Sequence, residues 1–125
     1  MGQSRESALR ELGLLVESAQ ALRNELRTKE RVYRKMAKIL EQGEPVASMM
    51  SMVNAATARH DMTRSLDEFE RVRHQVRLAL TAAGLEEGMT IGDLGRALGF
   101  SRQLAARYAH EARQTHPVPE VGEGA

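Results

Sequence analysis

The chain is expected to be all-α: a long antiparallel helical hairpin of coiled-coil or bundle type, followed by a short C-terminal helix pair. Three observations predict this. Residues 4–42 contain no proline and one internal glycine, Gly13. Apolar side chains in that stretch recur at alternating spacings of three and four, the period of a helix that buries one stripe. Aromatic residues make up only 3% of the 125 residues while hydrophobic residues make up 42%, so a core must come from Leu, Ala, Val and Met meeting along helices.

In the first segment the seam reads Leu12, Leu15, Ala19, Leu22, Leu26, Lys29, Tyr33, Met36 and Leu40. Leu12, Ala19, Leu26, Tyr33 and Leu40 form an a-type line; Leu15, Leu22, Lys29 and Met36 form a d-type line. A helix of that length spans roughly 55–60 Å and cannot bury such a seam alone. Lys29 interrupts the seam, where a polar residue can set register or snorkel its charge outward. Gly43 suits the position just past a helix end, and Pro45 the start of the next helix. A second helical segment is expected over 45–83, with Val46, Met49 or Met50, Val53, Ala56, Met62, Leu66, Phe69, Val76 and Leu80 on its seam. The pattern weakens between Asn54 and Asp61, where a kink would fall. Gly84 followed by Leu85 reads as its C-terminal stop. Two helices of matched length joined by a short turn should pair antiparallel. Residues 1–84 are therefore expected to form a dimerising hairpin, residues 85–116 a separate head, and residues 117–125 a disordered tail.

The composition excludes several classes. Without cysteine there is no disulfide and no thiolate metal site. The apolar runs are too short to span a bilayer, and no signal-peptide pattern opens the chain. Met1-Gly2 lacks the Ser or Thr a myristoylation motif needs, because Glu6 stands there. His60, His74, His110 and His116 have no metal-ligand spacing, and no phosphate loop, nucleophile elbow or paired-acid motif is present. No catalytic residue, cofactor or small-molecule substrate is implied, so a non-enzymatic cytoplasmic protein is expected. The net charge of +1 hides an uneven distribution. Residues 1–42 carry nine Lys/Arg against six acids, residues 43–87 five against seven, and residues 88–116 four against two. An acidic middle separates two basic ends.

The informative stretch runs from Thr90 to Gln114. Thr90 and Asp93 have capping-box spacing, with Asp in place of the preferred Glu or Gln. Ile91, Leu94 and Leu98 make a short apolar face, and Gly95 permits close approach of another helix. Gly99 can take the positive φ of a tight turn, Phe100 can plug the corner, and Ser101 can cap a second helix over 101–114. This order of short helix, glycine turn, apolar plug and capped helix resembles the helix-turn-helix of bacterial transcriptional regulators, and most closely the DNA-reading end of region four of sigma factors. The resemblance covers the last third of the chain. Ala105 is smaller than the Ile or Val common in such motifs, and Gly95 stands where Ala is commoner.

Rotation by about 100° per residue sorts the second helix into two faces. Leu104, Ala105, Tyr108 and Ala112 should pack inward. Gln103, Ala106, Arg107, His110 and Gln114 should face outward, flanked by Arg102 and Arg113. Arg can pair bidentately with guanine and Gln with adenine, a small Ala106 lets the helix sit deep, and Ser101 with the free N–H groups behind it suits a phosphate. The candidate DNA-binding residues are thus Ser101, Arg102, Gln103, Ala106, Arg107, His110 and Arg113, and the expected partner is double-stranded DNA, bound by a homodimer in the nucleoid.

Two other groups have plainer readings. Arg27, Arg31, Arg34 and Lys38 form a basic stripe that could neutralise phosphates but equally suits a solvated helix exterior. Met49, Met50, Met52 and Met62 suit core filling, although the apolar density of residues 46–58 exceeds what one hairpin partner covers and favours dimerisation. The same features are compatible with two other functions: a helical protein-interaction module of the transcription machinery, and a nucleoid-associated protein of low sequence preference.

Overall fold

The computed structural model describes residues 2–115, and every regular element among them is a helix. Their order is α1 (Gln3–Glu41), α2 (Val46–Met52), α3 (Ala55–Glu86), α4 (Ile91–Leu98) and α5 (Arg102–Thr115). The expected tail at 117–125 lies outside the described residues. No helix of the described residues is long and apolar enough to cross a membrane.

The breaks between helices follow local chemistry. Gly43, at φ 87°, ends α1; its N–H reaches the Leu40 carbonyl, and the Glu44 N–H reaches that of Ile39. These are the paired bonds of a Schellman cap, which need the left-handed backbone that glycine adopts without a Cβ clash. The second segment is not one helix. Asn54, at φ 52°, separates α2 from α3, and asparagine is one of the few residues with a side chain that tolerates this conformation.

The end of α3 corrects the expected stop. Gly84 is buried inside the helix, which continues to Glu86. Gly88, at φ 95°, is the cap, with its N–H on the Leu85 carbonyl and the Met89 N–H on the Gly84 carbonyl at 2.9 Å. Gly84 leaves room for two neighbouring side-chain tips and supplies no special dihedral. A Cβ there would lie 2.9 Å from both Leu94 Cδ2 and Met89 Sδ.

The described residues fall into two compact units, 2–15 with 72–115, and 16–71. In the first, Ala8 packs with Ala79 and Ala83, while Leu78 and Ala82 pack with Ala112. The Glu86 carboxylate accepts from the Ser4 backbone N–H at 3.0 Å, and Arg5 pairs with Glu87 at 2.9 Å. Small side chains dominate this core, so backbones approach closely and steric fit matters more than bulk.

In the second unit the buried and half-buried line of α1 is Leu15's continuation: Ser18, Leu22, Glu25, Lys29, Val32, Met36 and Ile39. The d-type residues of the expected seam therefore face inward, and the a-type residues do not. Leu26, Tyr33 and Leu40 are 49%, 52% and 41% exposed, and Ala19 is exposed as well; in the first unit Leu12 is likewise exposed. The two lines sit side by side with the same three-four spacing, and periodicity alone does not choose between them. On the partner helices, Val46, Met50, Ala56 and Leu66 are exposed, whereas Met49 is buried. Arg27, Arg31, Arg34 and Lys38 are all exposed.

Lys29 is buried on this seam. Its ammonium lies 2.9 Å from Glu25 and 3.9 Å from Asp61. The hydrogen bond to Glu25 and the nearby carboxylates hold its pKa above the ordinary lysine value despite the opposing desolvation. A buried pair recovers little beyond its own desolvation, whereas an abandoned partner is costly. Lys29→Met, which keeps the stem but abandons the Glu25 carboxylate, is expected to lower the thermal midpoint, whereas Lys29→Met combined with Glu25→Met, which removes both charges, should leave it near the starting value. Lys29→Ala should lower it further than Lys29→Met alone, because stem packing is lost as well as charge. Thermal melts of these variants check this, and a large drop in the double variant would make the ion pair itself the stabilising element.

Candidate nucleic-acid interface

The two C-terminal helices are set by local bonds. Thr90 Oγ1 accepts from the Asp93 N–H at 3.0 Å, and Asp93 Oδ2 accepts from the Thr90 N–H at 3.0 Å, a reciprocal capping box. Arg96 adds a 2.8 Å bond to the other Asp93 oxygen. The Thr90 backbone bond, the Thr90 hydroxyl contact and Arg96 together hold the Asp93 carboxyl below the usual aspartate range. A depressed carboxyl pKa stabilises the fold fully above the unfolded value, near pH 4, and this contribution is lost as pH falls through the folded value. Asp93→Asn is therefore expected to lower the thermal midpoint at neutral pH and to flatten its decline below about pH 4. A melt series against pH checks both effects; an unaltered acid limb would show that the cap does not couple to stability.

Between α4 and α5 the chain turns sharply. Gly99 adopts φ 73°, and the Phe100 N–H reaches the Gly95 carbonyl at 2.7 Å. A Cβ on Gly95 would stand 3.1 Å from the Phe100 carbonyl oxygen and 3.5 Å from Ala105 Cβ. Gly95 and Ala105 are thus small for one reason: α4 and α5 meet there backbone to backbone. Ser101 starts α5, its Oγ accepting from the Leu104 N–H at 3.1 Å. That bond uses an acceptor lone pair and leaves the hydroxyl proton and the first α5 N–H groups free to meet an anion.

Helix α5 is anchored on one side. Ala105, Ala109 and Ala112 are buried, and Leu104, Tyr108 and Glu111 are half-buried. Tyr108 packs on Phe100 with ring centroids 5.0 Å apart and on His74 at 5.5 Å, and Arg77 donates to its hydroxyl at 3.4 Å. Glu111, the one acid on α5, faces His74 at 2.9 Å and so lies on the anchored side.

The opposite side is exposed at Arg102, Gln103, Arg107, His110, Arg113 and Gln114, whereas Ala106 is half-buried. Gln114 Nε2 lies 3.3 Å from His110 Nε2, one turn away on the same face. Among the described residues none of Arg102, Arg107 and Arg113 has an ion pair. From Gln103 to Gln114 the face extends roughly 16 Å, about five base-pair rises. It presents cations, amides and an imidazole with no carboxylate among them.

Three participants were not evident from sequence. Ala109 is fully buried and completes the inward ridge. His74 and Arg77 hold α5 from 37 and 31 residues away, a separation no local pattern signals. No metal-binding cluster occurs among the described residues. Neither family models, curated proteins nor solved structures include a match to this chain.

Proposed function

We propose that the protein is a DNA-binding transcriptional regulator that lays α5 in the major groove. In this reading α4, the Gly99 turn and α5 are a helix-turn-helix head. The long helices form an antiparallel hairpin that dimerises, and the protein works in the cytoplasm at the nucleoid. The observation that carries the reading is the segregation of charge on α5. Its one acid, Glu111, is half-buried and engaged by His74, while Arg102, Gln103, Arg107 and His110 share the exposed side. A solvated helix face has no need of such sorting, but a helix entering a polyanionic groove does. In support of a hairpin, Ser4 meets Glu86 while Ala8 meets Ala79 and Ala83, so the two chain directions run opposite in that unit.

Gln103 and Arg107 would read base edges, with His110 beside them and Ala106 set back to admit the groove floor. Arg102, Arg113 and the Ser101 N-terminus would hold phosphates. One head offers few base contacts and the net charge is near zero, so useful affinity requires two heads. A twofold dimer then selects a palindromic site with half-sites one or more turns, about 34 Å each, apart. Selection of bound duplexes from a random pool, followed by gel shifts at several salt concentrations, tests the proposal. Enrichment of a palindrome is the expected result. Uniform binding to all duplexes would make the protein architectural, and no binding at low salt would remove DNA as its partner.

A further inference from the structure

The outer line of α1 within the unit 16–71 is Val16, Ala19, Arg23, Leu26, Glu30, Tyr33, Ala37 and Leu40, spaced alternately by three and four and exposed throughout. Val16 is 58% exposed, and the values for Leu26 and Tyr33 are comparable. Such a stripe has the form of a second coiled-coil seam, beside the one already buried. Ala19, Leu22, Arg23 and Leu26 stand at i, i+3, i+4 and i+7, the four corners of a hole for an incoming knob. They line an open groove of about 320 Å³, bounded on its far side by Phe69 and large enough for a leucine side chain.

We infer that this line is the docking surface for the same line of a second copy, packed antiparallel about a twofold axis level with residues 24 and 25. The inference specifies the homodimer of the proposed function and rests on that part of it. The charges select the orientation. In a parallel pair Arg23 would meet Arg23 and Glu30 would meet Glu30 at the same level, each a like-charge contact. Reversed, the line pairs Val16 with the partner's Tyr33, Ala19 with the partner's Glu30, and Arg23 with the partner's Leu26. Arg23 then stands one layer from the partner's Glu30, and each Leu26 enters the other copy's Ala19–Leu22–Arg23–Leu26 hole. Sizes match as well: the largest side chain meets a small β-branched one, and the carboxylate meets alanine, past which it can reach solvent. Sliding by one heptad would set Leu26 against the Glu30 carboxylate and leave Ala19 facing Ala37 across a gap. Glu30 already holds Arg34 on its own helix, so the pair of charges becomes a small network in the dimer.

Because the chain has no cysteine, engineered thiols report the register directly. In the full chain carrying Val16→Cys and Tyr33→Cys, a short bismaleimide is expected to link Cys at 16 of one copy to Cys at 33 of the other. The two positions in one copy are roughly 26 Å apart along the helix and cannot be bridged by it. Mapping of 16–16 and 33–33 links would overturn the antiparallel arrangement, and a monomer at micromolar concentration would overturn the docking surface. Leu26→Glu, at a half-exposed position, should keep its helical circular dichroism yet weaken dimerisation at least about 100-fold in sedimentation. An unweakened dimer would place the interface elsewhere. These measurements use no DNA, so loss of the dimer and loss of DNA binding are read separately.

Discussion

Leu78→Ala is expected to destabilise the unit that carries α4 and α5 by about 3 kcal/mol. Leu78 is 1% exposed and packs against Ala82, Ala112 and the half-buried Tyr108. The rest of that core is mostly alanine, including Ala79, Ala83, Ala105 and Ala109. Alanine has no χ angle with which to swing into a vacated space, so most of the cavity would persist and the cost should lie well inside the usual range of about 2–5 kcal/mol. A whole domain retains only about 5–15 kcal/mol. Urea unfolding of the variant checks the figure through its midpoint at unchanged slope. A loss below about 1 kcal/mol would mean that the unit is not held by this contact. Leu78→Met, which nearly conserves volume, should cost less than about 1.5 kcal/mol and separates cavity formation from other effects.

On the proposed DNA-reading role of α5, Arg107→Ala is expected to lower affinity for the selected DNA site about 10- to 100-fold and to relax the preference at one base pair, the effect of removing one bidentate base contact. The side chain is exposed and has no ion pair among the described residues, so its removal should leave the fold intact. Gln103→Ala should relax a neighbouring position in the same way. Arg102→Ala and Arg113→Ala should behave differently, weakening all sequences alike and reducing the slope of affinity against salt by about one. Binding profiles across a panel of single-base variants distinguish the two outcomes. If Arg107→Ala and Gln103→Ala both leave the profile unchanged, the outward face of α5 is not the reading surface.

Much of the local structure is legible in the residues because its causes are short-range. The Thr90–Asp93 capping box, the Ser101 cap and the glycine turn at 99 are closed by bonds spanning three to five residues, and each residue type there has few other uses. The Gly43 stop is legible for the same reason. Gly84 was misread, because a glycine that ends a helix and a glycine that makes room for Leu94 and Met89 look alike until the partner is in place. The seam of α1 failed in a related way. Leu12, Leu26, Tyr33 and Leu40 are more apolar than Ser4, Ala8, Ser18 and Lys29, yet the latter line faces inward. Close approach of Ala8 to Ala79 and Ala83 rewards small residues, and the Glu25–Lys29 pair makes a buried ammonium tolerable.

The sequence by itself thus determined that the chain is helical, that turns fall at Gly43 and Gly99, and which side of α5 carries the cations. Periodicity and capping act within a few residues, so they can be read along the chain. Only the tertiary structure decided which of two equivalent stripes of α1 is buried, and that His74 and Arg77 brace α5 from behind. Those outcomes depend on contacts between residues tens of positions apart, whose energies exist only once the backbones have met.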